Sequence, residues 1–128
     1  MTYYFAKIVE GDVPTVRERV QQALSNEGFG VLTEIDVQAT MKKKLGESMR
    51  PYVILGACNP GLAFKALSAE SNIGTMLPCN VIVRQTEEGT TEVAAVDPVA
   101  SMQAVDNPGL AAVAQEVRTR LSRVVESL

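Results

Sequence analysis

The 128-residue chain contains no histidine, no tryptophan and only two cysteines, and aromatic residues make up 5% of it. Without an imidazole, histidine-based acid–base catalysis is excluded and most zinc and haem ligation patterns lose a donor. Cys58 and Cys79 stand too far apart for the Cys-x-x-Cys of a zinc ribbon or thioredoxin-like site, and in a reducing compartment both thiols are expected to be free. There is no phosphate-binding glycine loop and no clustered set of acids, so no reaction, metal or cofactor can be assigned. No uncharged apolar run approaches the roughly 20 residues of a membrane-spanning helix. The opening stretch MTYYFAKIVEG lacks the basic, apolar and small-residue order of a secretion signal, so a cytoplasmic protein without membrane contact is expected. Net charge is −3, and the single basic run, Lys42 to Lys44, reads as a solvated helix face rather than a nucleic-acid footprint.

What remains is an ordinary globular composition, 46% hydrophobic and 21% charged. At this length one core and one domain over residues 1–128 are expected. The run TYYFAKIV, with its β-branched and aromatic residues, predicts a strand. Asp12 then caps a helix whose Val13, Val16, Val20 and Leu24 share one face, and Gly28 stops it. FGVLTEI predicts a second strand, and Asp36 a short helix ending at Gly46, with Val37, Met41 and Leu45 on one stripe. YVILGA is almost continuously apolar, which predicts a central strand covered on both faces. A helix over 61–69 follows, then NVIVRQ and TEVAAVD as a hairpin joined by Glu87-Glu88-Gly89. The last helix carries Leu110, Val113, Val117, Leu121, Val124 and Leu128 at spacings of three and four. The expected fold is therefore α+β in two layers: a mixed sheet of about five strands with helices mainly on one face.

Three dipeptides share one logic. Asn59-Pro60, Asp97-Pro98 and Asn107-Pro108 each place a capping side chain before a proline, and proline at the first helical position loses only a donor without a helical partner. Cys58 would then end a strand just before a helix start, where the partial positive charge of the helix favours a thiolate. The alternative is a sulfur packed in the core as a small apolar group. Asn80 follows Cys79 at a strand start, so capping does not explain it. If strands 52–57 and 81–86 are neighbours, both Cys-Asn pairs fall in one region.

Four blocks in order, GFGVLTEIDVQATMKKKLG, YVILGACNPGLAFKAL, IGTMLPCNVIV and EVAAVDPVASM, resemble the bacterial and archaeal proteins grouped as domain of unknown function 302. The resemblance spans most of the chain and implies a compact α+β domain with no established activity and no catalytic residues to carry over. The recurring blocks fall on Gly56 to Pro60, Pro78 to Asn80, and Asp97 with Pro98. The chain departs from the pattern at Gly61 and at Phe64, where relatives carry a larger residue and a histidine or polar aromatic respectively.

Three functions compete. The first is a small-molecule or anion binding or sensing module at the Cys-Asn-Pro helix start, with Cys58, Asn59, Gly61, Cys79, Asn80 and Asp97 as candidate ligand-binding residues. The second is a thiol protein in which Cys58 reacts and Cys79 resolves, or in which both bind a soft ion such as copper(I). The third is a structural subunit of a homo-oligomer, a homodimer being expected from a sheet with one face less covered by helices.

Overall fold

In Tyr4–Val9 (β1) the residues facing the helices are partly buried and those between them exposed, the period-two pattern of a strand with one covered face. The computed structural model describes residues 2–128. The Asp12 carboxylate accepts the Thr15 N–H at 2.9 Å and starts Val13–Asn26 (α1), in which Val16, Val20 and Leu24 are buried completely. Gly30–Asp36 (β2) follows. Asp36 caps Val37–Leu45 (α2), which closes on Gly46 in the left-handed conformation, φ 70°. Then come Tyr52–Cys58 (β3), Pro60–Ala69 (α3), a 3-10 turn over Ser71–Met76, Cys79–Gln85 (β4), Thr91–Val96 (β5), a single turn Pro98–Ser101 (α4) and Pro108–Glu126 (α5). Asn59, Asp97 and Asn107 each cap the helix that follows, as their position before proline predicts.

The sheet runs β1-β5-β4-β3-β2 and is antiparallel at every pairing, so the mixed sheet expected from the sequence is corrected. Helical connections suggested parallel neighbours, but α2 has nine residues, about 13 Å, and the chain returns to the end of the sheet it left, pairing Asp36 with Val53. Segment β3–α3–β4 turns back in the same way. Strands β1 and β2 do run in the same direction, yet they stand at opposite edges, with α1 carrying the chain beneath the sheet. YVILGA forms an interior strand, paired with β2 on one side and β4 on the other, but the expected cover on both faces is corrected: Leu55 and Ala57 are buried beneath the helices, whereas Ile54 lies on the face that α1 and α5 do not cover.

Those two helices pack side by side on the other face. Leu24, Leu55, Val81, Val83, Val93, Leu121 and Val124 form the core there, each contributing about 1.5–3 kcal/mol by leaving water. A smaller cluster of Ala66, Ile73 and Leu110 joins α3, the 3-10 turn and α5. Polar pins fix the helices. Arg123 Nη2 meets Glu27 Oε1 at 2.8 Å, tying α5 to the end of α1. The Asn107 side-chain amide donates to Ala69 O at 2.7 Å and Glu70 Oε1 at 3.0 Å, holding the start of α5 against the end of α3.

Candidate functional site

The end of β3, the start of β4 and the beginning of α3 meet at one end of the sheet, because β3 and β4 are neighbours as the sequence predicts. Their approach depends on Gly56. A Cβ there would lie 2.2 Å from Thr33 Oγ1 and 2.7 Å from Pro78 Cγ, so any side chain would push β2 and the entry to β4 away from β3. The Leu77–Pro78 peptide preceding β4 is cis.

Between this end of the sheet, α3 and α5 lies a cavity of about 300 Å³. Ala57 and Cys79 form its floor. One wall comes from Leu62, Ala63 and Ala66 of α3, the other from Leu110, Val113, Ala114 and Val117 of α5. The space has a simple origin: alanines from three elements face one another where leucines would have filled it. Leu32 and Leu67 border the mouth, and both are exposed, Leu32 at 67%. Phe64, one turn before Leu67 on α3, is 72% exposed but does not border the cavity.

Three of the candidate residues, Cys58, Asn59 and Cys79, border this cavity. Asn59 Oδ1 accepts the Leu62 N–H at 3.2 Å, so its carbonyl is occupied by the helix cap. Its amide nitrogen abuts Gly28, where a Cβ would stand only 2.9 Å away and where φ is 83°. Cys79 is 8% exposed, and its thiol is pushed up to about 11, first by burial and then by the neighbouring Cys58 thiol. Both cysteines are free. Among the described residues no group of three or more histidine, cysteine or acidic side chains is placed to hold a metal ion.

The other three candidates lie elsewhere. Asn80 is exposed and, one residue after Cys79, belongs to the opposite face of the sheet, because successive side chains alternate. Gly61 sits in the first turn of α3 and is not part of the cavity wall. Asp97 is buried and fully engaged: Oδ1 accepts from Val99 N at 3.0 Å and Ala100 N at 3.4 Å, and Oδ2 from Arg118 Nε at 3.2 Å. Its neighbour Pro98 borders the cavity instead. The cavity walls were visible in the sequence only as helix stripes; the signal in them was alanine at core positions of two helices and a strand.

A family model described as domain of unknown function DUF302 matches residues 5–128. Among solved structures, an uncharacterized conserved protein DUF302 from Bacillus stearothermophilus is similar over 98% of both chains, with 28% identity and a TM-score of 0.91. No curated protein matches this sequence. No helix among the described residues is long and apolar enough to cross a membrane.

Proposed function

The chain belongs to the DUF302 family, whose description assigns no activity, and from the shape of its cavity we propose that it is a binding module for a small apolar molecule. The observation carrying this reading is the wall itself, about 300 Å³ of partly open space lined by aliphatic side chains together with Phe29, Met102, Asn59 and two thiols. That volume falls at the lower end of ligand pockets. A cavity of about 150 Å³ accommodates benzene, so a ligand of roughly two fused rings, or an aliphatic chain of similar bulk, fits here. The exposed Leu32 and Leu67 at the mouth support the same chemistry, since they offer an apolar path from solvent.

An anion is disfavoured by the same wall. Lys65 is exposed and does not border the cavity, so a buried negative charge would have no cation beside it. The thiol reading is weakened by burial of Cys79, which opposes the thiolate needed for exchange or soft-metal ligation.

Naphthalene titration followed by methyl NMR tests the proposal. Saturable shifts of the Leu62, Leu110 and Val113 methyls are expected, and Ala114→Leu, which fills the space, should weaken binding about tenfold or more. Absence of those shifts, or equal binding to the filled variant, would overturn it.

A further inference from the structure

The sheet face opposite α1 and α5 carries an uninterrupted apolar row across all five strands. The pairings Ala6↔Ala94, Ala94↔Ile82, Ile82↔Ile54 and Ile54↔Ile35 place these five residues side by side. On one side of the row stand Ile8, Glu92, Arg84 and Tyr52; on the other stand Tyr4, Asn80 and Thr33. Ile8 and Ile35, at the two edges, are 53% and 47% exposed. The only charges that pairing places in these rows neutralise one another, with Arg84 Nε 2.9 Å from Glu92 Oε1.

We propose that this face is the interface of a homodimer, covered by the same face of a second copy of the chain. Two properties select a second copy as the occupant. The first is area. Five strands at about 4.8 Å spacing and six residues at about 3.4 Å rise project to roughly 500 Å², and side-chain relief brings the accessible surface toward the ~800 Å² per partner of a standard interface. The second is charge. An isologous contact places a patch against itself, so it tolerates no unbalanced charge, and this face has none once Arg84 and Glu92 pair. A two-fold axis lying along the apolar row would stack that row on itself and set Arg84 of one copy over Asn80 of the other, an amide that can accept, rather than over another guanidinium. Tyrosines at the margins add rigid contact area with hydroxyls left toward water. This inference is independent of the cavity, whose lining includes none of the residues in these rows.

Sedimentation equilibrium of the full chain tests it. At tens of micromolar the protein should have twice the 13.8 kDa chain mass. The double variant Ile8→Lys/Ile35→Lys should sediment as a monomer under the same conditions, with an unchanged far-ultraviolet spectrum and cooperative melting, because both positions are already half exposed in the single chain. Phe64→Lys, on the exposed side of α3 and outside these rows, should leave the dimer intact. A wild-type monomer at 100 micromolar, a dimer that survives the double variant, or a dimer dissolved by Phe64→Lys instead would each overturn the proposal.

Discussion

Cys79 stands opposite Ala57, not Cys58, across the β3–β4 ladder. The two cysteines are therefore one residue out of step, and the pleat directs their Cβ bonds toward opposite faces although both border one cavity. A disulfide needs converging Cβ vectors as well as nearby α-carbons. Mild oxidation of the native protein should therefore yield no intramolecular bridge, and mass spectrometry after alkylation should find both thiols retained. Loss of both thiols as an internal pair with the fold intact would contradict the register argument.

Burial of Cys79 makes stability depend on alkaline pH. In the unfolded chain the thiol ionises near 9.0, whereas in the folded protein it stays protonated to about 11. Below pH 9 both states hold the proton and nothing changes. Between pH 9 and 11 the unfolded state alone loses it, so stability falls as pH rises, by about 2–3 kcal/mol for this group. Urea unfolding at a series of pH values should show a steeper decline for wild type than for Cys79→Ala; parallel slopes would refute the assignment.

Asn59 is explained as a cap whose Oδ1 holds the Leu62 N–H. Replacement by alanine should cost about 1 kcal/mol, whereas Asn59→Asp, which keeps an acceptor in place, should cost less. Chemical denaturation of the two variants checks the order. Equal losses would mean that the amide nitrogen beside Gly28, rather than the cap, is the part that matters.

Gly56→Ala should be among the most damaging small changes in the chain. Its new methyl would meet Thr33 Oγ1 at 2.2 Å and Pro78 Cγ at 2.7 Å, and overpacking of this kind costs about 1–3 kcal/mol. Adding Thr33→Ala removes one of the two collisions, so the double variant should recover part of the loss but not all of it. Full recovery, measured by thermal melting, would show that the Pro78 ring yields freely.

The sequence by itself determined the local structure, because local structure depends on neighbours within a turn. Asn59, Asp97 and Asn107 before proline marked three helix starts, Gly46 marked a stop, and the apolar spacing from Leu110 to Val124 laid α5 against a sheet. Cys58, Asn59 and Cys79 meet at one cavity because β3 and β4 are neighbours in both sequence and space, whereas Asn80 does not join them. Strand direction was decided only by the tertiary structure: a helical connection fits parallel and antiparallel neighbours alike, and the outcome depends on which end of the sheet the chain re-enters. The division of the site was decided there too. Pleating separates Asn80 from Cys79, Asp97 is consumed by α4 and Arg118, and the cavity arises where Ala57, Ala63, Ala66 and Ala114 converge from three elements. No periodicity along one segment encodes that convergence, because empty space is a property of residues that meet only after the chain has folded.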